Sequence, residues 1–446
     1  MSKKRILLAF LSFIILFQGF HIQAQEVRKR LETLNLICKE KLDIILPKAM
    51  RENNIDMWII VNKFGHSDPL SEDVGGGGPS DKWSHGEFLG YLVFTDRGGD
   101  RIERAALGAR GNRSLYDIFG ETKDLRKFVA ERDPKRIAVN MSEKVGVADG
   151  LSYTCYLSLI KDLGEKYVKR LVSAEKLVCE FRSQRVLSEV VAFANACELT
   201  RKLEDRALSN EVITPGVTTL ADVAWWLKEQ HWAYGLGSTL RLPAVFIRYP
   251  EDPYGSEITS NDYHIIQGGD LVQIDWGVRM MNFSTDIKRI AYVLREGETA
   301  VPPDIQNAFE AALKARDIMR KNIKPGRTGA ETIEILYRKL EEAGFVRMEH
   351  EDQMTDLDHI EVNIGMHSVG NQGHGAGPAI WAEKPFRHEL EIKPTNFLAF
   401  EFMLYFPVPG WKRGKKRYIA IEEDVIITEN GVECPYPMIE RILLIR

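Results

Sequence analysis

Cysteine is scarce in this chain of 446 residues, and its positions match no metal-binding or redox pattern. The five cysteines are widely spaced and include no Cys-x-x-Cys pair, so zinc-finger and thioredoxin-type sites have no support. A chain of this length does not need disulfides to fold, and we expect buried free thiols. One disulfide stays an alternative if the protein is exported. The cysteines are Cys38, Cys155, Cys179, Cys197 and Cys434.

A surplus of positive charge is also absent. Lysine and arginine number 60 against 64 acidic residues, which gives a net charge of −4, and no basic block interrupts the chain. This balance excludes the electrostatic footprint of a nucleic-acid-binding protein. The composition, 44% hydrophobic and 28% charged, excludes a disordered or fibrous chain. We therefore expect a small molecule or a peptide as the partner.

Long apolar runs are missing except at the N-terminus. Three basic residues precede the apolar run of residues 6–17, and a short polar stretch then ends at Ala24. This order is typical of a secretory signal peptide covering residues 1–24. A membrane anchor is the alternative, but a spanning helix needs about 18–20 apolar residues. We expect a secreted or periplasmic protein without stable membrane insertion after cleavage.

The first part of the chain has the pattern of an α/β unit. Helical periodicity at residues 39–53 is followed by short apolar runs at 57–61, 90–94 and 136–139, which predict buried strands. No phosphate-binding fingerprint accompanies the glycine-rich stretch at 75–79, so we expect a plain loop there. A long helix begins near Ser188. We therefore place the domain boundary near residue 180, which divides the chain into 25–180 and 181–446.

The second part contains a short internal sequence repeat, an echo of one segment by a later one. The sequence Ile-Thr-Pro-Gly-Val-Thr at residues 213–218 recurs in similar form 110 residues later, as Ile-Lys-Pro-Gly-Arg-Thr at 323–328. Helical stretches precede and follow each copy, and the threonine after Pro-Gly stands at an expected N-cap position. The echo predicts two similar half-domains related by a pseudo-twofold axis.

Acidic residues stand inside predicted buried strands in both halves. Asp275 and Asp286 lie 11 residues apart across Gly277, which fits two adjacent strands joined by a turn. Glu401 and Glu422 each interrupt an apolar strand in the second half. Buried facing carboxylates repel each other, and their burial is costly unless a cation neutralises them.

Two histidines, His367 and His374, lie seven residues apart in a glycine-rich stretch between these strands. Four carboxylates and one imidazole suit paired Mn²⁺, Co²⁺, Fe²⁺ or Zn²⁺. Two ions about 3.5–4 Å apart could hold a hydroxide for attack on a carbonyl. By strand alternation Glu423, next to Glu422, faces the opposite side of the sheet, where we expect it to be solvated.

This ordered set resembles the pita-bread metallopeptidases, which include methionine aminopeptidase, aminopeptidase P, prolidase and the metal-free relative creatinase. The resemblance rests on the Gly-Asp-Leu-Val-Gln-Ile-Asp-Trp-Gly run ending at Gly277, the step to Asp286, the step from His367 to His374, and Ile-Glu-x-Asp at Glu422. It implies an α+β protein. A creatinase-like N-terminal α/β domain (25–180) would precede a pita-bread catalytic domain with a pseudo-twofold repeat (181–446).

The resemblance also implies roles for the site residues. Asp286 and Glu422 would bridge two divalent ions, with Mn²⁺ expected, while Asp275 completes one site and His367 with Glu401 the other. Glu401 would also be the general base. His374 would not be a ligand but would stabilise the tetrahedral intermediate. A homodimer is implied as well.

Three positions depart from the pattern of aminopeptidase P and prolidase. Asn363 and Ile258 stand where those enzymes have substrate-contacting histidines, and Ala420 stands where they have arginine. We expect an intact metal centre with an altered substrate pocket. The expected function is a metal-dependent aminopeptidase cleaving Xaa-Pro bonds. The alternatives are a dipeptidase, a hydrolase of a non-prolyl peptide or other amide, and a non-catalytic binding module on the same fold.

Overall fold

A computed structural model of the chain describes residues 25–79, 89–236, 242–248, 257–259, 263–348, 356–413 and 415–446. The predicted signal peptide, residues 1–24, lies outside these ranges. Within them, no helix combines the length and the apolar character that crossing a membrane requires. All five cysteines are free thiols, as the sequence predicts.

The first part of the chain forms a mixed sheet of six strands together with a small two-stranded ribbon. The strands are β1 (Met57–Lys63), β2 (Gly76–Pro79), β3 (Leu89–Thr95), β4 (Glu103–Leu107), β5 (Ala109–Gly111), β6 (Ile118–Gly120), β7 (Ile137–Val139) and β8 (Leu171–Ser173). The large sheet has the order β6-β4-β3-β1-β7-β8, which confirms the three predicted strands. The glycine-rich stretch is not a plain loop, because four of its residues form β2 and pair with β5.

Helices cover both faces of this sheet. They are α1 (25–40), a π-helical turn (Lys41–Ile45), α2 (Leu46–Glu52), α3 (Leu125–Arg132), α4 (Tyr153–Leu163), α5 (Glu165–Val168) and α6 (Glu175–Ser183), with short 3-10 turns at Thr122–Asp124 and Gly146–Ala148. Side chains of β1 alternate between two apolar clusters. Met57, Ile59 and Val61 pack with α3 and α4, whereas Trp58 and Ile60 pack with α2 and α6. This is the period-2 pattern of a strand buried on both faces.

The described residues of the second part contain two large sheets under a layer of helices, together with a small two-stranded ribbon. The helices are α7 (Leu187–Ala207), α8 (Leu220–Ala233), α9 (Pro303–Asn322), α10 (Gly329–Glu342) and α11 (Pro385–His388). The strands are β9 (Ala244–Arg248), β10 (Glu257–Thr259), β11 (Leu271–Trp276), β12 (Arg279–Met280), β13 (Phe283–Ser284), β14 (Ile287–Val293), β15 (Phe345–Arg347), β16 (Ile360–Ile364), β17 (His367–Ser368), β18 (Phe397–Pro407), β19 (Lys416–Thr428), β20 (Gly431–Glu433) and β21 (Leu443–Ile445).

The two sheets follow the same plan, a pair of helices and then a mostly antiparallel sheet with one parallel strand pair. One has the order β10-β9-β11-β14-β21 and packs against α7 and α8. The other has the order β15-β16-β18-β19-β20, with β17 beside β18, and packs against α9 and α10. Strands β14 and β19 contact each other, so the sheets meet where the acidic residues lie.

The predicted N-caps of the echo differ by one residue between the halves. Thr328 caps α10, because its hydroxyl accepts a hydrogen bond from the backbone N–H of Glu331. In the first half the cap is Thr219, not the predicted Thr218. The hydroxyl of Thr218 instead accepts from the backbone N–H of Thr214 inside the turn. The turn in the first half therefore contains one more residue before its helix than the turn in the second half.

Candidate metal centre

The structure brings the five predicted ligands together where the two sheets meet. Three overlapping groups each have ligand atoms within 4.8 Å of one another, and they are Asp275 with Asp286 and Glu422, His367 with Glu401 and Glu422, and Asp286 with His367 and His374. Strand register explains the convergence. Glu401 on β18 lies directly opposite Glu422 on β19, and Asp286 stands immediately before β14. Their roles as ligands stay predictions.

His367 has the geometry of a metal ligand that faces carboxylates. The ring is 1% exposed, and its Nδ1 lies 3.3 Å from the carbonyl oxygen of Ser368. With Nδ1 donating there, Nε2 carries a lone pair, and it lies 3.6 Å from Glu401 Oε2 and 3.7 Å from Glu422 Oε1. Nε2 has no hydrogen-bond partner among the described residues. An acceptor facing acceptors at this spacing fits a cation held between them.

Burial and like charge raise the proton affinity of two of the carboxylates. Burial, followed by the neighbouring Asp275 carboxylate, raises the pKa of Asp286 to about 7. Burial and the carboxylates of Asp286 and Glu401 raise the pKa of Glu422 well above its ordinary value. A divalent cation would relieve this repulsion, so the ligand set fits a bound metal.

A lysine that the sequence analysis did not single out lies among these carboxylates. The ammonium of Lys288 lies 2.6 Å from Glu401 Oε1, 2.5 Å from Glu422 Oε2 and 3.2 Å from Asp275 Oδ2, and its side chain is 7% exposed. Burial alone would raise the pKa of Glu401, but the ammonium of Lys288 opposes it, and the pKa is held well below its ordinary range. The sequence feature that could have indicated this contact is a lysine inside the apolar strand β14, two residues after Asp286.

The expectation of a solvated Glu423 is wrong. Glu423 is 0% exposed and accepts hydrogen bonds from the guanidinium of Arg289, the hydroxyl of Tyr436 and the backbone N–H of Ile439. It does lie on the opposite face of β19 from Glu422. That face is covered too, since β19 is buried on both sides, so alternation there does not lead to solvent.

His374 lies at the edge of this group and faces the cleft. Its side chain is exposed, and its ring stacks on His367 with a centroid distance of 4.0 Å and an angle of 23°. Burial of part of the ring and the nearby His367 lower the pKa of His374 to about 4. The imidazole is therefore neutral at pH 7 and can donate one hydrogen bond.

A buried arginine from the start of the second part holds the loop that carries His374. The guanidinium of Arg185 donates to the carbonyl of Val369 over 3.0 Å and to the side chain of Asn371 over 2.7 Å. It also pairs with Glu189, which the ammonium of Lys41 contacts from the first part of the chain. These contacts couple the first part of the chain to the site, and nothing in the sequence spacing indicates them.

Gly370 stands at a position where the guanidinium of Arg185 leaves no room for a side chain. Its φ is +130°, and a Cβ there would lie 2.2 Å from Nη2 of Arg185. Any other residue would displace the guanidinium from the loop.

The site opens into a cleft of about 540 Å³ lined by residues of both halves, among them His374, Trp276 and Pro243. Two of the predicted departures are buried and are not among the residues that line it. Asn363 donates from its side-chain amide to the carbonyl of Met348 over 3.1 Å and is buried. Ala420 belongs to an apolar cluster with Phe246, Met348, Met403, Tyr405 and Tyr418. The third departure, Ile258, is on β10, and its side chain lies outside the described part of the chain.

A comparison with protein families matches residues 192–429 to the model of metallopeptidase family M24. The chain belongs to metallopeptidase family M24. The matched segment contains all five predicted ligands as well as Lys288 and His374. The protein is therefore a peptidase of a metal-dependent family, as the resemblance implies.

Individual members of the M24 family are similar to this chain over most of its length. It is 25% identical over 298 residues to the Xaa-Pro dipeptidase of Pyrococcus furiosus, covering 66% of this chain and 73% of that protein. An Xaa-Pro dipeptidase structure from Bacillus anthracis superposes with a TM-score of 0.61 at 19% identity, covering 91% of this chain and 99% of that one.

An X-Pro aminopeptidase structure from Thermotoga maritima MSB8 superposes with a TM-score of 0.60 at 18% identity, covering 89% of this chain and 99% of that one. At these identities the likeness concerns the fold. It confirms the predicted α+β architecture, in which an N-terminal domain precedes the M24 catalytic domain.

Proposed function

We propose that this metallopeptidase hydrolyses the N-terminal peptide bond of peptides, with Xaa-Pro as the expected bond. The observation that carries the proposal is the Nε2 of His367, which has no hydrogen-bond partner in the described part of the chain and faces the carboxylates of Glu401 and Glu422. The M24 relatives named as Xaa-Pro dipeptidases and an X-Pro aminopeptidase support the substrate class.

Five side chains would hold divalent metal, with Mn²⁺ the expected ion and two ions the number that the resemblance implies. They are Asp275, Asp286, His367, Glu401 and Glu422. A bound divalent cation polarises the scissile carbonyl and lowers the pKa of bound water toward neutral pH. The remaining chemistry comes from the side chains around it.

Glu401 and His374 would move and stabilise charge at the substrate. Glu401 is ionised at neutral pH because its pKa is held low, so Oε2 can accept the proton of the attacking water. His374 is neutral, stands at the cleft and would donate its N–H to the carbonyl oxygen of the substrate as negative charge develops there. Gly373 lies against Asp286 and leaves room for its carboxylate, because a Cβ there would lie 2.9 Å from Asp286 Oδ2.

A second candidate is hydrolysis of a non-prolyl peptide or another amide, including dipeptides. The apolar cluster around Ala420 favours it, because the arginine that the resemblance implies at this position is replaced by a packed apolar side chain. Asn363, which is bonded to Met348, does not line the cleft.

We also propose that the protein is exported after removal of residues 1–24 and that it is a homodimer. Both proposals rest on the N-terminal sequence and on the resemblance. N-terminal sequencing of the exported protein and light scattering of the purified protein would test them.

The substrate test uses purified protein that has been loaded with Mn²⁺ and three matched sets of peptides. They are Xaa-Pro dipeptides, Xaa-Pro-Yaa tripeptides and the same peptides without proline, with products identified by mass spectrometry. Glu422→Gln is the matched control, because it removes one ligand charge at nearly constant shape. We expect release of the residue before proline by the wild type and at least about a 100-fold loss in the variant.

Each pattern of products has a defined meaning. Preference for tripeptides would identify an aminopeptidase, and preference for dipeptides would identify a dipeptidase. Cleavage of the non-prolyl controls alone would favour the second candidate. Cleavage of none of the peptides by metal-loaded protein would overturn the proposed function.

A further inference from the structure

The two halves of the catalytic domain carry different residues at one corresponding position. In the second half Glu401 on β18 lies directly opposite Glu422 on β19. In the first half Asp275 on β11 lies directly opposite Lys288 on β14. Both strand pairs are antiparallel and follow a pair of helices. By this register Lys288 is the counterpart of Glu422, so an ammonium stands where the other half has a carboxylate.

The oxygens of the central carboxylates divide between two cations. Glu401 Oε2 and Glu422 Oε1 face His367 Nε2 at 3.6 and 3.7 Å. Glu401 Oε1 and Glu422 Oε2 face the ammonium of Lys288 instead, at 2.6 and 2.5 Å. Asp275 Oδ2 completes the ammonium's surroundings at 3.2 Å. The ammonium donates hydrogen bonds to Glu401 and Glu422, and the Asp275 carboxylate lies within ion-pair distance of it.

We propose, on the basis of the proposed metallopeptidase function, that Lys288 replaces one of two metal ions and that each chain binds a single divalent cation beside His367. A second ion would need oxygens of Asp275, Asp286 and Glu422. Two of these three residues direct an oxygen to Lys288. The second ion would also lie close to the buried positive charge of Lys288, and like charges at short range repel strongly in a buried site.

Lys288 is therefore a positioning residue that contributes permanent positive charge. It orients Glu401 and Glu422 so that their other oxygens converge on His367. His367, Glu401 and Glu422 would hold the single ion, with Asp286 also within reach of His367.

The test is the number of ions bound per chain. Full-length protein is saturated with Mn²⁺, freed of unbound ion by gel filtration and analysed by mass spectrometry of the metal. We expect one ion per chain in the wild type. In Lys288→Met, which keeps the length of the side chain and removes the charge, we expect the number to double to two.

Lys384→Met is the matched control. Lys384 lies near the cleft with its ammonium 4.6 Å from the ring of Trp381, and it contacts none of the five predicted ligands. Its loss removes the same charge from the neighbourhood but frees no ligand oxygen, so we expect the number to stay at one.

The outcomes separate this inference from the function on which it rests. Two ions per wild-type chain, or one ion in both wild type and Lys288→Met, would overturn the replacement of an ion by Lys288 while leaving the peptidase proposal standing. No bound ion in the wild type would overturn both. If Lys288→Met fails to fold, crystals of the wild type soaked in Mn²⁺ decide the question. One anomalous peak beside His367 Nε2 supports the inference, and a second peak between Asp275 and Glu422 overturns it.

Discussion

The backbone N–H of Asp286 donates a hydrogen bond of 2.9 Å to the carboxylate of Asp424. Asp424 belongs to β19 in one sheet, and Asp286 precedes β14 in the other. The same oxygen of Asp424 lies 3.6 Å from the thiol of Cys197, and the whole side chain is buried. This hydrogen bond fixes the position of the Asp286 backbone relative to Glu422, which lies two residues before Asp424 on β19.

We expect Asp424→Ala to weaken metal binding by about 10–100-fold, because Asp286 would lose the contact that orients its backbone. Asp424→Asn retains an acceptor oxygen and should bind metal nearly as well as the wild type. Titration with Mn²⁺ by calorimetry measures both variants. Equal affinities for the alanine variant and the wild type would contradict this account.

His374→Ala should reduce kcat by about 100–1000-fold, the usual effect of losing one donor to a developing oxyanion. The metal content should not change, since His374 is predicted to donate to the substrate and not to bind the ion. His359→Ala is the control, because that histidine is exposed and bonded to Asp356. Loss of metal in His374→Ala would show that His374 is a ligand.

Arg185→Met should lower the free energy of unfolding by about 3–5 kcal/mol, because it leaves the buried carboxylate of Glu189 without its guanidinium partner. Arg413→Met breaks an exposed pair with Asp358 and should cost about 0.2–1 kcal/mol. Urea denaturation of metal-free protein measures both. Similar losses in the two variants would show that the Arg185 contacts do not hold the junction together.

Glu204→Gln should stabilise the protein increasingly as pH rises. Neither carboxylate oxygen of Glu204 has a hydrogen-bond partner among the described residues, and burial raises its pKa well above the ordinary value. In the wild type, the contribution of Glu204 to the free energy of unfolding is fully present below its unfolded-state pKa of about 4.3. It is lost as the pH rises toward the folded-state pKa. The difference between variant and wild type should therefore grow above about pH 4.3 by up to about 1.4 kcal/mol per pH unit.

Glu211→Gln provides the control of opposite sign. Its hydrogen bond with Arg206 lowers the pKa of Glu211, so the wild-type carboxylate favours folding above the unfolded pKa. Unfolding in urea between pH 4 and 7 compares the two variants. A Glu204→Gln difference that stays flat across this range would mean that the buried carboxyl is not protonated on folding.

Much of the candidate site follows from local sequence patterns. Asp275 and Glu401 stand inside apolar strands, a placement that needs a compensating charge whatever the surrounding fold. The predicted helix near Ser188 is confirmed by α7, which begins at Leu187. Local reasoning was wrong for Glu423, because period-2 alternation tells which face a residue takes but not what covers that face.

The contacts that tie the site together and that the sequence analysis missed mostly span long separations. Arg185 reaches Val369 across 184 residues, and Lys288 reaches Glu422 across 134. Neither residue belongs to a motif of fixed spacing. Their partners depend on how the two sheets and the first part of the chain pack against one another.

The sequence by itself determined the family, the donor types of the site and their order along the chain, because these depend on residue identity and on covalent spacing. Only the tertiary structure decided that each of two glutamates turns one oxygen to His367 and the other to Lys288. That division depends on the register between β18 and β19 and on the face of β14 that meets them. The register is set between two consecutive strands, whereas the approach of β14 depends on packing between segments more than 100 residues apart, which no local pattern encodes.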